Sequence, residues 1–239
     1  LPTNSYISEK YNWVYRGAKR ANIAMQTMER VEDLDEAFKK KRNGELHFLR
    51  ALFYFEGIRV FGPYIPWVDE TMTENDPKVH NDVDIYPMVL ADLDIAISDL
   101  PDTQDAPGRA NVWAAKALKA KLLVHKGDLV AAKPILKDVV DNGKTSNGLK
   151  YDLEEDMNAN FDSYRDNGKE SIFAIQFSAE DDNANSGMSI AYPHGGAGAP
   201  GGCCGFFQPS QELANSYKVG PDGLPLLDKS YRNEPYVSD

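Results

Sequence analysis

The sequence predicts a mainly α-helical protein, with helix pairs over residues 1–145 and a loop-rich, irregular half containing a little β over 146–239. Three observations carry that expectation. Apolar residues recur at three- and four-residue spacings through five successive segments, Gly or Pro closes most of those segments, and beyond Gly143 the composition turns to Asn, Asp and Gly.

In the first helix Tyr11, Val14, Tyr15, Ala18, Asn22 and Met25 line one face, leaving Lys10, Arg16, Arg20 and Glu29 for water. The second runs from about Glu45 to Phe61 and stops at Gly62-Pro63. With Phe48, Leu49, Leu52, Phe53 and Phe55 it is apolar over much of its circumference, so neighbours must bury it. The third spans about Asp84 to Leu100, with Tyr86, Val89, Leu90, Leu93, Ala96, Ile97 and Leu100 on one stripe, Pro87 in its tolerant first turn and Pro101 at its end. The fourth, about Ala110 to Lys126, presents a seam of Trp113, Ala117, Ala120 and Val124, and Gly127-Asp128 reverses the chain. The fifth, about Leu129 to Asp141, turns Leu129, Ala132, Leu136 and Val139 toward the fourth, with Gly143 just beyond. Pro134 conflicts with it and should kink this helix or push its start downstream. Hairpins of this kind suit a helical repeat, and a generic bundle has the same periodicities. Later in the chain one strand is expected at Ser171–Phe177, with Phe173, Ile175 and Phe177 on one face. A short helix near Gln211–Tyr217 and a turn at Gly220–Gly223 follow.

Composition narrows the function. With 239 residues, 42% hydrophobic and 26% charged, the chain is globular in type, neither disordered nor fibrous. A net charge of −11 opposes nucleic acid, whose binding rests on basic side chains neutralising phosphates. Two cysteines build no disulfide framework and leave the redox compartment open. No run of about 18 apolar residues occurs that would span a bilayer. The chain opens at Leu1-Pro2 and closes at Ser238-Asp239, which reads as a fragment or processed product.

Several patterns invite chemistry and have plainer readings. Gly196–Gly201 matches G-x-G-x-x-G, yet Gly202-Cys203-Cys204-Gly205 and Pro209 follow where a helix should start, so a turning surface loop is expected. Asp156–Asp162 alternates oxygen ligands as a calcium loop does. Phe161 replaces its glycine and Asn167 its bidentate Glu, so an Asn-rich solvated turn is expected. Cys203-Cys204 fits no zinc ribbon and would close only a strained ring, which favours free buried thiols. His47, His80, His125 and His194 stand too far apart for a metal motif, and no nucleophile elbow is present. No catalytic residue, metal or cofactor is expected. What remains is loop aromatics: Tyr64 and Trp67 after Gly62-Pro63, Tyr192 and His194 before the glycine run, Phe206 and Phe207 after it. Such rings stack on sugar faces or apolar ligand groups, or simply plug loops onto helices.

The order of segments resembles the SusD/RagB family of surface nutrient-binding lipoproteins. The resembling pieces are Trp13–Asn22, Gly44–Phe55 running on to Phe61–Pro66, Val89–Ile97 with Leu100-Pro101, Gly108–Ala110, Lys169–Phe177, and Pro209–Leu213 followed by Asp222-Gly223. The resemblance implies tetratricopeptide-like helix pairs, an α-α superhelix, carrying a loop-rich half. It also implies a non-catalytic receptor that captures glycans, or peptides in some members. Such a receptor is held by an N-terminal lipid anchor, absent from this chain, on the outer face of the outer membrane, and delivers its ligand to a SusC-like TonB-dependent transporter. Members are considerably longer. Pro134 and Cys203-Cys204 are not family features, and the family's ligand residues lie in variable loops, so none transfers by position. A helical-toroid carbohydrate-active enzyme, motivated by the acidic charge and aromatic loops, and a helical-repeat adaptor are the alternatives.

Overall fold

The computed structural model describes residues 4–72, 76, 78–162, 164–176 and 210–233. The chain divides into two compact units, residues 1–175 and 176–239.

The first unit is a succession of antiparallel helices: α1 (Ser5–Glu29), α2 (Glu36–Phe61), α3 (Tyr86–Asp99), α4 (Val112–Lys126) and α5 (Leu129–Asn142). Each packs on the next in the chain, and α2 also touches α4. These are tetratricopeptide-like helix pairs, as expected. Side-chain caps start four of the five. Asn4, Asp35, Asn111 and Asp128 each accept from an amide two or three residues on, giving an orphan first-turn donor its partner. In α3 a proline sits in the first turn instead.

The core is α2 enclosed by its neighbours. Phe48, Ala51, Tyr54, Phe55 and Ile58 meet Ile85, Val89, Leu93 and Ala96 around α3, and Ala114, Ala115, Leu118 and Leu122 from α4. Gly17 brings α1 and α2 close, because a Cβ there would lie 2.3 Å from the Phe53 ring. From α1 the core takes Val14, Ala18, Ala21, Asn22 and Met25, most of the expected stripe, while Tyr11 is left exposed at the edge.

Four expectations are corrected. Helix α2 starts nine residues before Glu45, since Asp35 caps it and its charged opening turns need no core. Pro134 lies inside α5 without pushing its start downstream. The donor it lacks would have bonded the carbonyl of Val130, an exposed residue where water can take that place. On the facing seams, Val124 of α4 and Leu129 and Leu136 of α5 are exposed, leaving Ala132 and Val139 as the buried residues of α5. Finally, residues 171–176 form no strand. Phe173 packs edge-on against Phe48, ring centroids 4.9 Å apart, while Ile175 is exposed, so two residues expected on one face part company. Without a partner strand an alternating segment has no ladder to join. The β structure among the described residues is two isolated bridges, Lys144 to Lys150 and Val219 to Pro225.

In the calcium-like stretch, Met157–Phe161 is a single 3₁₀ turn, and Asp156 spends its carboxylate on the amides of Asn158. The second unit holds α6 (Gln211–Ser216), capped by Ser210, and a 3₁₀ turn at Ser230–Asn233, joined by Arg232 Nε donating to Glu212 at 2.7 Å. Between them Gly223, at φ 77°, closes the turn expected at Gly220–Gly223. The glycine run, Cys203 and Cys204 lie outside the described residues. Among those described, no helix is long and apolar enough to cross a membrane.

Candidate functional site

A cleft lies between α1 and the segment 62–72 that leaves α2, which we call the strap. Gly62 launches it. At φ 81° and ψ 177° this residue holds a conformation that is essentially glycine's alone, and its amide still closes α2 on the Ile58 carbonyl. Pro63 and Pro66 stiffen the path, and Ile65 is buried against the core.

The strap has no regular structure, so side chains from below hold its main chain. Tyr15 Oη donates to the Pro66 carbonyl at 2.8 Å, Asn22 Nδ2 to Val68 at 2.9 Å, and Gln26 Nε2 to Glu70 at 2.7 Å. Tyr54 of α2 both donates to the Val68 carbonyl, at 3.0 Å, and accepts from the Val68 amide, at 2.8 Å. Burial pushes the phenols of Tyr15 and Tyr54 well above their ordinary pKa, which keeps them neutral and able to donate.

A continuous run of rings follows the same line. Tyr11 meets Phe61 at 5.4 Å and Tyr15 at 4.6 Å, Tyr15 meets Tyr54 at 6.0 Å, and Tyr54 meets Trp67 at 4.5 Å. Below Trp67 is a buried charge cluster. Arg50, 3% exposed, grips Asp92 with Nε at 2.8 Å and Nη2 at 2.7 Å, and His47 Nδ1 lies 2.8 Å from the same carboxylate. Burial works against the charged guanidinium, but Asp92 and Glu70 more than offset it and hold the pKa of Arg50 above its ordinary value.

The cleft has a volume of about 460 Å³ and is lined by Tyr15, Lys19, Asn22 and Gln26 of α1, Tyr54 of α2, and Val68, Asp69 and Met72 of the strap. Asp69 accepts from the Trp67 indole at 3.1 Å and from the Thr71 hydroxyl and amide at 2.6 and 3.0 Å. Partial burial opposes ionisation there, but these donors and the charge of Arg50 outweigh it and draw the carboxyl below the usual range. An ionised carboxylate beside aromatic rings suits a hydroxyl-bearing ligand, since hydroxyls donate to the carboxylate while the C–H face of a sugar lies on a ring.

Of the six residues proposed from sequence, Tyr64 is on the strap and 57% exposed, and Trp67 is half-buried, its indole bonded to the Asp69 that lines the cleft. Tyr192, His194, Phe206 and Phe207 lie outside the described residues. Sequence reasoning missed Asp69, Tyr54 and Arg50. The available signal was a charge inside an apolar run, Phe48-Leu49-Arg50-Ala51-Leu52, answered by Asp92 inside Leu90-Ala91-Asp92-Leu93. A second hollow of about 600 Å³ runs beside α5, bounded by Val139, Val140, Tyr151 and Ile172 with charged residues around them. Burial alone pushes the Tyr151 phenol up to about 12, and its hydroxyl has no partner among the described residues. Among the described residues no three His, Cys, Asp or Glu side chains are arranged to hold a metal.

Antiparallel helix pairs that clamp a ring-bearing loop over a cleft define the first unit as an α-helical scaffold of tetratricopeptide-like pairs. Comparison with known proteins gives the family. A SusD-like family model, described as starch-binding and associating with the outer membrane, matches residues 2–124, just over half the chain. The chain belongs to the SusD-like family. A SusD-like protein of Bacteroides ovatus is 28% identical over 186 residues, covering 72% of this chain and 33% of that protein. Among solved structures, a SusD superfamily protein from Bacteroides vulgatus is 30% identical with a TM-score of 0.57, over 70% of this chain and 34% of the other. A laminarin-binding SusD-like protein is 25% identical with a TM-score of 0.59, over 69% and 36%. The chain spans about a third of the length of the curated relatives it matches.

Proposed function

We propose that this chain provides helical scaffold and part of the ligand face of a surface receptor that captures glycans without cleaving them. It delivers them to a SusC-like TonB-dependent transporter, from a lipid-anchored position on the outside of the outer membrane. The observation that carries the reading is the strap, which in a SusD-like chain bears the exposed Tyr64 and sets the indole of Trp67 against the ionised Asp69 that lines the cleft. The laminarin-binding relative supports a glucan as ligand. Tyr64 and Trp67 act as stacking contacts, and Tyr192, His194, Phe206 and Phe207 are assigned the same role.

Affinity electrophoresis through gels containing laminarin or starch tests it. The protein should be retarded by one of them, release no reducing ends, and lose most of the retardation when Tyr64 and Trp67 are both changed to Ala. Stacked rings contribute about 0.5–1.5 kcal/mol each beyond burial, so the double change should weaken binding about tenfold. Free migration in both gels, or release of reducing ends, would overturn the proposal. Co-purification of a large outer-membrane barrel tests the transporter.

A further inference from the structure

We infer that Arg50 is a positioning residue for the ligand face, setting the orientation of the Trp67 ring from beneath the strap. This rests on the glycan-capture reading for its functional meaning, though not for its geometry.

A buried guanidinium carries a large desolvation penalty and persists only where its donors are satisfied. If Arg50 served the helix core alone, the bidentate grip on Asp92 would account for it. That grip uses only Nε and Nη2. The remaining arm, Nη1, points the other way and donates to Asn22 Oδ1 at 2.8 Å and to the Glu70 carboxylate of the strap, while the guanidinium lies over the Trp67 ring, 5.2 Å from its centroid. One planar group therefore has a core side fixed by α3 and a strap side that meets Glu70 and Trp67. The other strap fastenings, from Tyr15, Asn22, Gln26 and Tyr54, all engage the strap's main chain. They set its path, and of the four only Tyr54 also meets the Trp67 ring, its centroid 4.5 Å away. Tyr54 stacks on that ring and the Asp69 carboxylate takes its N–H, while Arg50 lies over it and, through its grip on Asp92, ties it to α3. Lysine cannot replace it, because a single ammonium on a flexible stem does not span both sides in a fixed plane.

The test uses the protein labelled with 5-fluorotryptophan, in which Trp13, Trp67 and Trp113 give three fluorine NMR signals. Arg50→Lys and Glu70→Ala should each shift or broaden the Trp67 signal while those of Trp13 and Trp113 and the helical circular dichroism stay unchanged. Glu70→Gln, which keeps an acceptor, should bring the signal most of the way back. Retention in laminarin gels should weaken about tenfold in Glu70→Ala, equivalent to about 1.4 kcal/mol. Glu70 is one-third exposed on its side chain, so its variants fold even where Arg50→Lys does not. An unmoved Trp67 signal in folded Glu70→Ala would overturn the inference. A shifted signal in a protein that laminarin never retains would establish the hold on the ring and count against the glycan reading alone.

Discussion

The two ends of the helical unit are held together by different means. At the α1–α2 end, helices of 25 and 26 residues are crossed by a strap fastened through directional bonds, a ring run and a buried ion cluster. At the α4–α5 end, helices of 15 and 14 residues meet through Ala132 and Val139 and one partly exposed ion pair, Lys116 Nζ to Asp138 at 2.6 Å, while Leu129, Val130 and Val140 face outward. Apolar packing holds helices without fixing the angle of any one side chain, whereas charge-assisted bonds fix angles. Several such directional bonds converge on the strap, whereas at the other end the Lys116–Asp138 pair joins α4 to α5.

Breaking the ion cluster should have the largest effect. Asp92→Ala leaves Arg50 charged and buried beside no core carboxylate, and stability measured by urea unfolding should fall by about 3–5 kcal/mol. Gly62→Ala, which forces a side chain into the glycine-only conformation at the root of the strap, should cost about 1–3 kcal/mol by the same measurement.

Acid should act more weakly, through Asp69. Its folded-state pKa is depressed, so its contribution is full above the unfolded value of about 3.9 and is lost as pH falls below that through the folded value. The stability difference between the native protein and Asp69→Asn should therefore shrink as pH falls below about 4, together with a change in Trp67 emission. The smallest effect belongs to the other end. Val130→Ser on the exposed side of α5 should change stability by no more than about 0.5 kcal/mol. A larger loss there would mean that α5 is held by more than the buried pair Ala132 and Val139 and the Lys116–Asp138 ion pair.

All five long helices were legible in the sequence because burying one face of a helix forces a spacing that any reader of residues can find. What escaped has local causes. The charged opening of α2 carries no stripe, and Gly44 inside the helix answers to packing, since a Cβ there would meet Leu100 and Asp99 at 3.0 Å. The outward residues of α5 matched a periodicity that only the neighbour's extent could deny. The site was less legible still. Arg50 and Asp92 are 42 residues apart, and nothing in either segment names the other. Tyr64 and Trp67 stood out as rings after a helix stop, but the carboxylate beside them and the phenols under them became visible only once α1 and α2 were laid side by side.

Tyr54 answers both main-chain groups of Val68, doing with one phenol what an adjacent β-strand would do. Its consequence is a separation of route from display. The course of the loop is written in residues underneath it, so the side chain at 68, which looks into the cleft, is free to be exchanged without rerouting the backbone. Under the glycan-capture proposal, ligand preference can drift at that position while the architecture stands still.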